Sequence, residues 1–88
     1  MDGIPHHLPA LLRTEKLARK ARKADLCLDA DLPAGHWTPR RIGRALFELA
    51  ALAQLRGWSA EFLLRCEAQR QERMLRRQER SKARLADL

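Results

Sequence analysis

An all-α fold of three main helices is what this sequence predicts, and three observations carry it. Apolar residues make up 45% of the 88, yet only two Trp and two Phe are present. The core must therefore come from Leu and Ala, which favours helices over sheets. Two helix starts, Thr38-Pro39 and Ser59, flank a helix stop at Gly57. The third observation is the helix-forming run of Leu, Ala, Arg and Lys after Pro9, which no β-branched stretch or glycine interrupts.

The first helix is predicted over about 9–24, with Pro9 at the first helical position. Leu11, Leu12, Leu17, Ala18, Ala21 and Ala24 form a narrow apolar stripe, and Arg13, Lys16, Arg19, Lys20, Arg22 and Lys23 cover most of the remaining circumference. Residues 25–38 keep neither helical nor strand periodicity and carry Asp25, Asp29, Asp31, Pro33 and Gly35, which reads as an ordered connector. Trp37 and the connector's leucines are expected to fold it back on the helices, placing its acids near the basic residues.

The second helix, about 39–56, is apolar almost all the way round, which marks a helix covered on several sides. Two other short helices cannot cover it. Ile42, Leu46, Leu49, Leu52 and Ala53, joined by Leu64 of the next helix, are therefore expected to form the core of a homodimer. The third helix, about 59–84, opens on Ser59 with Glu61 near the positive end of its dipole. Its stripe runs through Ala60, Leu64, Ala68 and Leu75, with Leu63, Cys66 and Met74 alongside, and Cys66 is expected to be a small core residue. Beyond Leu75 the stripe fails, which predicts a solvated, fraying extension.

Length limits the chain to one domain, 1–88, and a chain this short buries only about 60% of the surface its unfolded form exposes. Association with a second copy would relieve that deficit. Eighteen Lys and Arg against eleven Asp and Glu leave +7, a field that attracts nucleic acid, nucleotides, acidic proteins or anionic membrane without choosing among them. The longest apolar run, 45–55, is broken by Glu48 and Gln54 and is shorter than the roughly 20 residues of a membrane span, so no membrane partner is expected. Cys27 and Cys66 form no CxxC, and the start from Met1 to His7 has no signal-peptide pattern, so a reduced, cytoplasmic protein is expected. His6, His7 and His36 with the two cysteines show no zinc spacing. No nucleophile triad, phosphate-cradling glycine loop or paired glutamates emerge, so no catalytic residue is assigned.

Two segments, in order, resemble the MazG family of nucleoside triphosphate pyrophosphohydrolases, and in particular the second domain of its longer members. The first runs from Ile4-Pro5-His6-His7-Leu8-Pro9 through Leu11-Leu12-Arg13 to Glu15-Lys16-Leu17 and Lys20-Ala21, and is similar to the lead-in helix of that domain. The second runs from Ile42-Gly43-Arg44-Ala45-Leu46-Phe47 through Leu52-Ala53, Gly57 and Ala60-Glu61 to Leu64-Arg65, and is similar to its third helix, turn and fourth helix. The resemblance implies a MazG-like helical bundle completed by dimerisation, magnesium as cofactor and a nucleotide ligand. The family's Glu-Glu-x-x-Glu helix has no counterpart, since 25–39 contains no glutamate. In the second motif, Glu-x-x-Asp, Arg41 and Arg44 stand in place of the acids. Guanidinium groups repel the ion that those carboxylates would hold, so neither cofactor nor pyrophosphohydrolase activity is expected.

Arginine can instead hold phosphate by bidentate hydrogen bonds. Arg40, Arg41, Arg44 and Arg70, the last at a position where the family carries a nucleotide-holding lysine, are candidate phosphate ligands. The same arginines also suit the surface of an abandoned metal site, and both readings stand. The function expected is that of a MazG-like homologue without activity, serving as an oligomerising or regulatory module with a nucleotide or other phosphate-bearing ligand. A second class is a small basic nucleic-acid-binding protein: residues 45–66 have the rhythm of a helix-turn-helix, although Glu61, Phe62 and Leu63 offer few base-edge donors. Nonspecific nucleic-acid attraction through the Lys16 to Lys23 face is a further expectation.

Overall fold

The computed structural model describes Gly3, Ile4 and residues 7–87; Pro5 and His6, within the first resembling segment, lie outside the described residues. The fold is all-α: α1 (Ala10–Lys23), α2 (Pro39–Leu55) and α3 (Ala60–Ala86), with no strand among the described residues. No helix among them is long and apolar enough to cross a membrane.

The helix ends follow the local chemistry. Thr38 Oγ1 accepts from the backbone N–H of Arg41 at 3.2 Å, with Pro39 filling a position where no donor is needed. At the other end of α2, Gly57 adopts φ 78°. That left-handed residue lets the N–H of Trp58 reach back to the carbonyl of Ala53 at 2.9 Å, closing the helix before Ser59 caps α3 through Phe62 N–H at 3.1 Å. α1 has no cap of its own, because Pro9 offers no side-chain acceptor. Its first N–H, that of Ala10, donates instead to Glu61 Oε2 on α3 at 2.8 Å.

α1 closes with the N–H of Leu26 donating to Ala21 O at 2.8 Å, which requires a left-handed residue between them. Asp25 takes that place at φ 55°. Its side chain is fully exposed and only 3.9 Å from Lys82 Nζ, so Asp25→Gly should remove the left-handed penalty at little loss. The expected gain is about 0.5 kcal/mol, seen as a rise of roughly 2–4 °C in the melting midpoint. A lower midpoint would contradict it.

α1 and α3 run in the same direction, with Ala10 beside Glu61 and Ala24 beside Lys82. Between them lies one core cluster of Ile4, Leu17, Ala21, Leu26, Ala68 and Leu75, with Leu28 packed against it. The connector is held onto α3 by two glutamines, each binding a connector residue through both its peptide N–H and its carbonyl. Asp29 N–H donates to Gln71 Oε1 at 2.9 Å while Gln71 Nε2 donates to Asp29 O at 2.6 Å. Cys27 pairs with Gln78 in the same way, at 2.9 and 2.7 Å. Lys82 Nζ then donates to the carbonyls of Ala24 and Asp25, each at 2.9 Å.

Two expectations are corrected here, for Cys66 and for Trp37. The segment beyond Leu75 is helical to Ala86 and exposed from Arg80 onward, as expected of a solvated extension, and within it Gln78 and Lys82 also satisfy backbone groups of the connector. Cys66 is exposed, because the buried face of α3 passes through Ala68, Gln71, Glu72 and Leu75 instead. The connector does fold back, through Leu26 and Leu28. Trp37, however, stays outside that core and packs against Arg41.

α2 is the exception to compact packing. Of its residues only Ala53 is buried, while Ile42, Leu46, Leu49 and Leu52 are exposed and Leu64 on α3 is half-buried. The radius of gyration is 15.1 Å, against about 12 Å for a compact chain of this length.

Candidate functional site

Three of the candidate phosphate ligands, Arg40, Arg41 and Arg44, lie in the first turns of α2. Arg41 is turned back onto the connector: its guanidinium carbon lies 4.1 Å from the centre of the Trp37 ring, and Nη1 donates to His36 O at 2.7 Å. Trp37 is fixed in turn by its indole N–H, which donates to Ala34 O at 3.2 Å. Arg41 thus fastens the end of the connector to the first turn of α2, through a cation–π contact and a charge-assisted hydrogen bond. Arg44 pairs with Glu48 one turn along, at 2.8 Å, with both side chains largely in water. Such an exposed pair is worth about 0.3–0.5 kcal/mol. Arg40 is exposed and has no partner among the described residues.

Arg70 belongs to a different cluster. It donates to Asp29 Oδ2 at 2.9 Å and to both oxygens of Glu67, at 3.0 and 2.7 Å. Hydrogen bonds from Arg70 and then Gln71 hold the Glu67 carboxyl down to about 2, and the same bonds to Glu67 and Asp29 raise Arg70. Because the folded acid titrates below its ordinary 4.5, this cluster favours the folded state above that pH, and its contribution is lost as the pH falls from 4.5 toward 2. Asp29, a connector aspartate, is therefore an ion-pair partner of α3. Asp31 is exposed. The four candidate phosphate ligands do not share a pocket: each of the three with a partner faces a different one.

No group of three or more His, Cys, Asp or Glu converges among the described residues in a way that would hold a metal ion. The places where the resemblance puts magnesium ligands carry Arg41 and Arg44, whose donors are incompatible with a divalent cation.

A second feature is built from apolar residues of α1, α2 and α3. Leu11, Leu46, Leu49, Ala53, Leu63 and Leu64 line an open groove of about 500 Å³. It exists because α2 meets α3 at their shared turn and diverges from the α1–α3 pair, leaving its stripe of Ile42, Leu46 and Leu49 without a covering element. Phe47 on α2 is 75% exposed, and Trp58 in the turn and Phe62 on α3 are more than half exposed. No family model, curated protein or solved structure matches this chain.

The groove residues on α2 were anticipated by the all-round apolar pattern of that helix. The part played by Leu11 was not, because Leu11 is separated from Leu46 by the whole connector. Glu61 also escaped: its position near a helix start explains a favourable dipole interaction, but nothing local shows that it caps a helix 51 residues away.

Proposed function

We propose that this chain is a MazG-like helical module without pyrophosphohydrolase activity, whose work is to self-associate through α2 and the first turns of α3. The observation that carries this reading is the unpartnered apolar arc of α2. Ile42, Leu46, Leu49, Leu52, Phe62 and Leu63 are each 46–64% exposed. At about 1.5–3 kcal/mol for full burial of such a side chain, the unrealised burial is on the order of 5–10 kcal/mol, comparable with the whole stability of a small domain. A second copy supplies the matching surface, because an isologous pair places the same arc on both sides of the contact. Ala50, Ala53 and Ala60 within the groove allow close helix approach. The expanded radius of gyration supports the same reading.

Phosphate binding by Arg40, Arg41, Arg44 and Arg70 has only their charge behind it, since Trp37, Glu48, Glu67 and Asp29 already engage three of them. The helix-turn-helix alternative over 45–66 meets Glu61, tied to Ala10 and Arg65, at the front of its reading helix.

Size-exclusion chromatography with light scattering tests the association. The expected mass is twice 10.2 kDa at micromolar concentration, and Leu46→Asp/Leu49→Asp should return a helical monomer. A wild-type monomer would overturn the reading. The companion assay follows pyrophosphate release from a panel of nucleoside triphosphates with magnesium, where no turnover is expected. Metal-dependent turnover lost on Asp29→Asn or Asp31→Asn would disprove the inactive assignment.

A further inference from the structure

The excess charge of this protein is confined to one body. α1 and the second half of α3, residues 73–84, together hold twelve of the eighteen Lys and Arg but only two of the eleven Asp and Glu. Everything else carries six cations and nine acids, so away from this body the chain is mildly acidic. Forty-nine residues of sequence separate the two basic segments. Parallel packing unites them, with Leu17 and Ala21 in one core with Leu75, and with Lys82 on the carbonyls that end α1.

On α1 the cations are arranged as well as numerous. Lys16, Arg19, Lys20 and Lys23 are spaced three, four and seven residues from the first, which places them on one helix face over about 10 Å. With Gly3 they rim a hollow of about 220 Å³, and no acid lines it among the described residues. Arg19 and Lys23 are exposed and Lys16 is half-exposed. On α3, Arg76 and Arg80 border a second hollow of about 390 Å³ with Glu79 and Ala83.

We propose that this body binds the phosphate backbone of duplex nucleic acid without reading its sequence, with Lys16, Arg19 and Lys23 contacting successive phosphates. A rigid row of cations suits a backbone with one phosphate per about 3.4 Å along each strand. The duplex is favoured over a single strand because single-strand sites combine charge with stacking aromatics. Trp37, Phe47, Trp58 and Phe62 all lie outside the basic body. The surface is also separate from the apolar groove, so it does not rest on self-association.

Fluorescence anisotropy with a labelled 20-base-pair DNA duplex, titrated between 50 and 200 mM salt, reads the contacts directly. Three phosphate contacts give a log–log slope of about −2.7, a loss of roughly 40-fold over that range. Arg19→Gln/Lys23→Gln should make the slope shallower by about 1.8, while Arg56→Gln/Arg65→Gln, with the same loss of net charge elsewhere, should change it by less than about 0.5. Equal losses in the two variants would show that overall charge alone is responsible and would overturn the proposal. So would tighter binding of a single strand of equal length, or capture by phosphatidylserine vesicles without duplex binding. Duplex RNA in parallel distinguishes the source of the backbone, and binding to either duplex supports the surface. All four substituted side chains are outside the core, and far-UV circular dichroism confirms that the variants remain folded.

Discussion

Leu75→Ala is expected to lower the melting midpoint by roughly 8–40 °C, among the largest effects of single truncations in the α1–α3 core. Leu75 is fully buried, and with Leu17 it is one of the two largest side chains so enclosed. Leu-to-Ala changes at such sites cost about 2–5 kcal/mol, through lost transfer energy and the cavity left behind. At 4–8 °C per kcal/mol for a domain of this size, that range gives the expected shift. No second cluster compensates, because the buried core among the described residues is the single group joining the N-terminal segment, α1, the connector and α3. Leu85→Ala, at a position 69% exposed, should stay within about 0.5 kcal/mol of wild type. Both are to be melted at one protein concentration, since self-association would make the midpoint depend on it. If the two variants melt together, Leu75 does not anchor the core.

The second large effect concerns a charge pair enclosed in the same interface. Arg13 and Glu72 are both buried, with Arg13 Nη2 3.4 Å from Glu72 Oε2. Arg76 Nε lies 3.9 Å from the same oxygen. The pair is incompletely satisfied: Arg13 Nε and Glu72 Oε1 are buried without a hydrogen-bond partner. Removing the acid alone leaves a guanidinium enclosed without its counter-charge, so Glu72→Ala is expected to cost about 3–5 kcal/mol in chemical denaturation. Replacing both, as Arg13→Met/Glu72→Leu, removes the desolvation penalty as well as the attraction. It should give a protein at least as stable as wild type, and up to about 4 kcal/mol more so. A double variant less stable than Glu72→Ala would show that the pair contributes more than its imperfect geometry implies.

Helix number and boundaries were legible because each end is written in adjacent residues: Thr38 before Pro39, Gly57 after Arg56, and Ser59 before Ala60 all act within a turn. The exposed apolar character of α2 was legible too, as a helix with more greasy surface than two neighbours can cover. The glutamine clasp was not. Gln71, Gln78 and Lys82 look like solvated residues in a charged run, and their acceptors are peptide groups that carry no side-chain signal. The same reason hid Glu61 as a cap for α1, while Cys66, expected inside, lies off the buried face of α3. The arginines of the candidate phosphate site were found individually, but their partners depended on how the connector folds back. That path is set by contacts at separations of 41 to 58 residues.

Those separations also set an order of assembly. α1 is made first, yet its N-terminal acceptor is 51 residues downstream and its closing lysine 58 residues from Ala24, whereas α2 and α3 meet across a tight turn. Distant contacts carry a larger closure entropy than local ones and form later. During synthesis, then, α1 waits without a core while the chain grows past Leu75. A nascent chain halted before that residue presents its greasy and basic faces together, with nothing yet to join them to.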